Sequence, residues 1–339
     1  MSTNFPTSLD TFPAAATLAG QTLFTTPHST LHGNLGDSLA AVEAKVGIDA
    51  SAVTTSLDYK VQKLLPGPSQ GRLTLTTGVP VTTADVTGAS TVYFTPYRGD
   101  GISLYNTSST KWFRYTFAEI SASLSGLTTS VPTDVFAYWT GSAVALELVN
   151  WTNGTTRATA LTTQDGVYVK TGDATRLYLG TLCGSGSGTC EDSSLKRFVY
   201  NYYNKLIRKL AVVEATTSWS YSSATYRPMN NSTANRVQLV SGTGEDMAEF
   251  MALAYCTFSG AALTAGFNGI GVDSTSVSTI DFGAHVSVNS SLFLAPLSLL
   301  RPYPSAGFHY YQALESGGGV DTQTWYGQGS TGIGGFCFG

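Results

Sequence analysis

Residues 71–106, GRLTLTTGVPVTTADVTGASTVYFTPYRGDGISLYN, fix the fold class. From Gly71 the apolar residues recur with period two, and the runs GRLTLTTG, STVYFTPY and GISLYN are rich in β-branched and aromatic side chains. Period two sends neighbouring side chains to opposite faces, the pattern of a half-buried strand. The pattern continues in KWFRYTF (111–117), DVFAYW (134–139), AVALELVNW (143–151), GVYVKTG (166–172) and RLYLGTL (176–182). Gly, Asn, Ser and Asp separate these runs at the intervals of a sandwich or barrel. Residues 191–216 read as a strand pair or connecting segment with Phe198, Tyr200 and Tyr202 on one side. A third region opens at TSWSYSSATYRPMNNS (217–232) and keeps the same pattern to the Gly-rich tail, where Phe336 and Phe338 call for burial.

Upstream the period changes. In TTPHSTLHGNLGDSLAAVEAKVG (25–47), Leu35, Leu39, Val42 and Val46 are spaced four, three and four apart, the interval of a coiled-coil seam. Pro27 or Asp37 offers a start and Gly47 a stop. Residues 48–69 carry a second helical pattern with Leu57, Val61 and Leu64 on its seam, Thr55 and Asp58 as a capping-box pair, and Pro66-Gly67-Pro68 as its end. Helices this short are marginal alone, so they need either sister chains or a docking surface. Packing on their own domain is the plainer reading; bundling between chains is the favoured one. The expected organisation is mainly β: an extended arm over 1–25, a helical anchor and linker over 26–70, and two β-sandwich or jelly-roll-like domains over 71–212 and 213–339.

Composition narrows the function. Charged residues are 12% of the 339 residues, and the net charge is −4, which argues against a nucleic-acid partner. No apolar run reaches the roughly 20 residues of a membrane helix, and the N-terminus lacks the layout of a secretory signal, so the expected product is soluble and made in the cytoplasm. Cys183 and Cys190 bracket GSGSGT and could close a small loop by a disulfide, whereas Cys256 and Cys337 read as buried thiols.

The site candidates each have a plain explanation. His28 and His32 stand four apart and could meet a metal or anion, but no third ligand accompanies them, and capping or interface contacts explain them better. Arg98-Gly99-Asp100 falls where a turn is expected and reads as chance composition. The carboxylate pairs Glu191/Asp192 and Glu245/Asp246 are adjacent residues facing opposite ways on a strand, better suited to turns or solvated edges than to glycoside hydrolysis. Trp112, Tyr115, Tyr138, Trp139, Trp151, Trp219, Tyr221 and Tyr226 could include a sugar-stacking platform, with core packing the default. No hydrolase or nucleotide-binding motif is present, and no cofactor is required.

The run HSTLHGNLGDSLAAVEAKVGIDASAVTTSLDYKV (28–61) resembles the N-terminal segment of tailed-bacteriophage virion proteins of the tail-fibre, minor-tail or unassigned structural kind. The matching residues are His28, His32, Glu43, Ala44, Lys45, Val46, Gly47, Thr55, Ser56, Leu57, Asp58, Tyr59 and Lys60. The segments YFTPYRGDGISLYN, TRATALTTQDGVYVKTGDATRLYLGTL and EDSSLKRFVYNYYNK are similar to a module of the same class, so the resemblance spans about residues 26–230. Gly33-Asn34 departs from the longer uninterrupted helix of such proteins, so the seam begins at Leu35. The resemblance implies a virion structural protein rather than an enzyme: a homotrimeric fibre or spike, anchored to other virion proteins by its N-terminal part and displaying β domains toward a host surface, with a surface glycan as a further partner. A capsid decoration protein is the alternative, and a polysaccharide depolymerase a weaker one. No catalytic residue is carried over.

Overall fold

The computed structural model describes residues 28–48, 51, 53, 55–63, 67–259, 264–284, 286–288, 293–329 and 331–339. The arm expected over 1–25, and Leu64 of the second seam, lie outside the described residues. The protein is mainly β, with several sheets and short N-terminal helices. The chain divides into two compact units, residues 1–68 with 105–114, and residues 69–104 with 115–339.

In the first unit, α1 spans His28–Val46 and α2 spans Leu57–Lys63. The glycine at residue 47 ends α1 as the sequence suggests: its φ is +87°, and its N–H donates to the Glu43 carbonyl at 2.8 Å. The cap of α2 falls one residue later than expected. Ser56 rather than Thr55 supplies it, its Oγ accepting from the Tyr59 N–H at 3.2 Å. Asp58 completes no capping box with Thr55; its carboxylate instead accepts from the Ser51 N–H at 2.7 Å and ties down the loop between the helices.

The second unit is built from sheets. One long sheet runs from Leu161–Gln164 through Val167–Lys170, Asp173–Gly186, Thr189–Asp192, Lys196–Arg197, Arg236–Ser241 and Gly307–Gly317 to Thr264–Val272 and Val286–Val288. Pro132–Trp139 pairs with Asp173–Gly186 and carries Val144–Asn150 on its other edge. A five-stranded sheet has the order Ile207–Val213, Gly332–Phe338, Glu249–Leu253, Leu297–Leu300, Phe282–Ala284. Alternation along its strands turns Leu210, Phe250, Leu300 and Ile333 inward, where they share a core with Val237, Ile270 and Tyr311 of the long sheet. The Phe250 and Tyr311 rings stack across that core at 3.7 Å.

Two expectations are corrected. The boundary drawn between residues 212 and 213 is crossed by hydrogen-bonded strands. Ile207–Val213 pairs antiparallel with Gly332–Phe338, and Lys196–Arg197 pairs parallel with Arg236–Ser241. Non-local pairing therefore joins the two expected β domains, and a composition-based boundary cannot show such pairing. The bridge that Cys183 and Cys190 could have formed is absent: both are buried free thiols. Cys190 lies opposite Gly184 in the ladder, so Cys183 is one residue out of register with it, and successive side chains on a strand point to opposite faces.

Candidate functional site

The helix seam is inverted relative to an ordinary surface helix. Leu35, Leu39, Val42 and Val46 of α1, with Leu57 and Val61 of α2, are between 38% and 66% exposed. Glu43, on the same helix, is buried, and Gly47 is packed close to Ser56 and Ser51. Hydrophobic residues spaced for a helical stripe are thus left in solvent. His32 lies exposed on α1 beside this seam. Among the described residues no group of three or more His, Cys, Asp and Glu is placed to hold a metal ion, and no helix is long and apolar enough to cross a membrane.

A second feature lies in the β body. A cleft of about 440 Å³ is lined by Trp151, Thr155, Arg157, Tyr168, Thr243 and Ala306, among others. Arg157 of this lining is paired with a carboxylate on Pro132–Trp139, a strand whose residues 132–137 are buried on both faces. Asp134, almost wholly buried, accepts from Arg157 Nε at 2.7 Å and Nη2 at 3.3 Å. Thr181 Oγ1 adds a bond to Asp134 at 2.7 Å, and the Tyr178 hydroxyl lies 2.6 Å from Thr181 Oγ1. Arg157 Nη2 also donates to the Gly242 carbonyl, and the guanidinium lies 4.3 Å over the Trp151 ring. Burial alone pulls the Arg157 pKa down, but the bond to Asp134 and its charge outweigh that and hold it above its ordinary value. Gly242 permits this arrangement by close approach: a Cβ there would sit 2.2 Å from the Tyr178 hydroxyl.

The walls are fixed by local bonds. Asn153 Oδ1 accepts from the N–H groups of Thr155 and Thr156, both at 2.9 Å, and the Phe308 N–H donates to the Gly154 carbonyl at 2.8 Å. On the rim, Tyr168 donates to Glu245 at 2.8 Å, and Asp246 takes bonds from Tyr200 and Lys205, each at 2.8 Å. Of the Glu245/Asp246 pair, Glu245 is thus bonded to a cleft residue, whereas Asp246 is held by two residues that do not line the cleft. Glu191 and Asp192 are not a solvated edge: both are buried, with Asp192 bound by Arg197 at 2.9 Å and Arg208 at 2.8 Å, and Glu191 by Lys196 at 2.9 Å.

The aromatic candidates do not form one platform. Trp151 belongs to the cleft, Tyr115 stacks on Trp139 at 4.2 Å, and Tyr138 lies under Arg176 at 3.9 Å. Trp219 donates to Glu315 at 2.6 Å, and Tyr221 lies under Arg227 at 3.7 Å. Arg98, Gly99 and Asp100 form an exposed turn with φ of +137° at Gly99.

One constellation invisible in the sequence has the membership of a hydrolase triad. His309 Nδ1 lies 2.7 Å from Asp273 and Nε2 lies 3.3 Å from Ser305 Oγ. Nε2 is closer still, 2.8 Å, to the Ser305 carbonyl oxygen. With a proton on each nitrogen the ring donates to Asp273 and to the Ser305 carbonyl, and in that form it does not take the serine proton. The geometry is that of a bracket between a strand and a turn.

No known family profile matches the chain, and no curated protein matches it. Among solved structures it is similar to a Bacillus thuringiensis Cry1Da tryptic core variant, with 9% identity, 74% of this chain and 48% of that chain covered, and a TM-score of 0.17. It is also similar to the mosquito-larvicidal Cry4Aa toxin of the same organism, with 8% identity, coverage of 84% and 55%, and a TM-score of 0.18. A third structure, BuGH86 in complex with neoagarooctaose, shows 11% identity, coverage of 71% and 34%, and a TM-score of 0.16. The chain spans about half the length of the two toxins and a third of BuGH86, and at these scores the likeness carries no argument about function.

Proposed function

We propose that the protein is a structural component of a tailed-phage virion: a homotrimeric fibre or spike, anchored by its N-terminal helices to other virion proteins and displaying its β body for host attachment. The observation that carries this reading is the exposed seam Leu35, Leu39, Val42 and Val46 on a helix whose Glu43 is buried. Apolar residues at four-three spacing gain from contact with the same seam of a sister chain, each burying a side chain worth roughly 1.5–3 kcal/mol when fully covered. The phage-like sequence of the same segment supports the assignment to a virion, and the low charge and β-rich body suit a displayed appendage.

Sedimentation equilibrium of the full chain at micromolar concentration tests it. A trimer is expected, and Leu39→Asp with Val42→Asp should give a monomer with unchanged near-ultraviolet dichroism, because both side chains are exposed within the single chain. A wild-type chain that sediments as a monomer would remove the reading. Copy number on the particle then separates a fibre from a head-decoration protein: a few dozen copies or fewer favour the former, hundreds the latter.

A further inference from the structure

The cleft beside Arg157 has no part in the proposed anchor, and its chemistry is specific. Its size is within the range of roughly 300–1,000 Å³ typical of small-molecule sites. Hydroxyls dominate its polar lining: Thr155, Thr156, Thr243 and Tyr168. Arg157 spends Nε and Nη2 on Asp134 and Gly242, and its guanidinium also bonds the buried Tyr178 hydroxyl, so its donors are engaged within the protein. Thr156 Oγ1 takes part in none of the bonds that fix its loop, which run through Asn153 and the main chain. Between these polar groups, Ala160, Leu161 and Ala306 supply small apolar patches.

Charge excludes the obvious anionic ligand. The Arg157 cation is already matched by Asp134, and Glu245 adds a negative charge at the rim. A phosphate or carboxylate would meet no unpaired cation here and one repelling neighbour. A purely apolar ligand would bury the Thr156 hydroxyl without replacing its water and would strip water from the remaining lone pairs of Tyr168, Thr243 and Thr155, each of which has one protein partner, in Glu245, Tyr200 and Asn153, an unfavourable exchange. A polyol fits both tests, because each of its hydroxyls donates and accepts, and its C–H faces can lie on the apolar patches.

We infer that the cleft is a binding site for a neutral saccharide, held by hydrogen bonds to the Thr156 hydroxyl and to the remaining hydrogen-bonding capacity of the Thr155, Thr243 and Tyr168 hydroxyls. The site binds without cleaving: Asp134 is committed to Arg157 and Thr181, and Asp246 to Lys205 and Tyr200. Its walls are set before the ligand arrives, since Asn153 and the Gly154 to Phe308 bond hold the 151–156 loop, which lowers the ordering cost of binding. Every contact comes from one chain, so the site stands whether or not the protein trimerises.

Saturation-transfer NMR on the full chain tests this with cellotriose, maltotriose and galactotriose as neutral probes and trigalacturonate as the anionic control. At least one neutral probe should show saturable transfer, and Thr156→Val with Tyr168→Phe should weaken it roughly tenfold by removing two hydrogen-bonding hydroxyls. The melting temperature should fall only slightly, since the bond lost, from Tyr168 to Glu245, is solvent-exposed. Should the pair of changes disturb folding, Thr156→Val alone reads the same effect, because its hydroxyl supports no bond of the loop. Silence from all three neutral probes overturns the inference, as does binding that survives Thr156→Val, or binding of trigalacturonate alone. None of these results bears on the oligomeric state, which sedimentation reads separately.

Discussion

The Arg72 guanidinium donates through Nη2 to the carbonyl oxygen of Gly339, 2.9 Å away and 267 residues later in the chain. Its other donors go to the carbonyls of Pro80, at 3.2 Å, and Asn204, so a nearly inaccessible cation is held by main-chain oxygens from three separate segments. Burial lowers its pKa to about 10, with the Arg208 charge adding to the shift, so the group stays charged at neutral pH. Replacing it with methionine keeps the bulk and leaves three carbonyls without this donor. Arg72→Met should therefore cost roughly 3 kcal/mol in urea unfolding of the β body, since each unsatisfied buried group costs about 1–3 kcal/mol before relaxation. Arg72→Lys, which cannot reach three acceptors in a fixed fork, should recover less than half of that loss. A loss under about 0.5 kcal/mol for Arg72→Met would show that water replaces the guanidinium and that the clamp is dispensable.

The strand content was legible because half-buried strands write period two into the chain, as in Val92, Phe94 and Leu104, all buried as alternation requires. The helix α1 was legible too, because its four-three apolar spacing is local, and Gly47 stops it where the sequence places a stop. What stayed hidden depends on pairing across long intervals. Nothing near Ile207 announces that it will lie opposite Phe338, and nothing near Trp151 announces Thr243 or Ala306. Asp192 looks like a solvated carboxylate until Arg197 and Arg208 are brought against it. Buried arginines with no acidic neighbour in sequence were the available signal, since in a chain with 12% charged residues each inward-facing charge must find a partner elsewhere.

His309 makes stability depend on pH in a stated direction. Burial pulls its pKa down, but the bond to Asp273, the Ser305 carbonyl and the Asp273 charge outweigh it and hold it above the ordinary 6.5. A folded value above the unfolded one means that the contribution is fully present below about pH 6.5 and is lost as pH rises through the folded value. The difference in melting temperature between the wild type and His309→Gln should accordingly be largest below about pH 6.5 and shrink as pH rises above it. A difference that grows with pH would mean that the ring is neutral in the folded protein, which would reopen Ser305 as a nucleophile.

The four cysteines should behave as one class. Cys190, Cys256 and Cys337 are each pushed up to about 12 by burial, and burial also raises Cys183 with the neighbouring Cys190 adding to it. Thiolate is the reacting form, so an aromatic disulfide reagent near pH 8 should find no fast thiol in the native protein and four after unfolding without reductant. Recovery of only two would restore the bridge between Cys183 and Cys190 and displace the one-residue register offset that separates them.

Gly242 couples the cleft to the core, and the coupling can be measured. A methyl group there would fall 2.2 Å from the Tyr178 hydroxyl and 2.4 Å from the Tyr200 ring, both belonging to buried side chains with little room to retreat. Overpacking of this kind costs about 1–3 kcal/mol, so Gly242→Ala should destabilise by roughly 2 kcal/mol in guanidinium unfolding. The same change moves the carbonyl that Arg157 Nη2 donates to, and saccharide binding should weaken with it. Thr243→Val, one residue on, gives the contrast: it removes the 2.9 Å bond to the Tyr200 hydroxyl, whose remaining bond to Asp246 persists, and should cost under about 1 kcal/mol. Equal losses at the two positions would mean that the tyrosine pair yields to the added methyl, and that Arg157 is positioned by Asp134 alone.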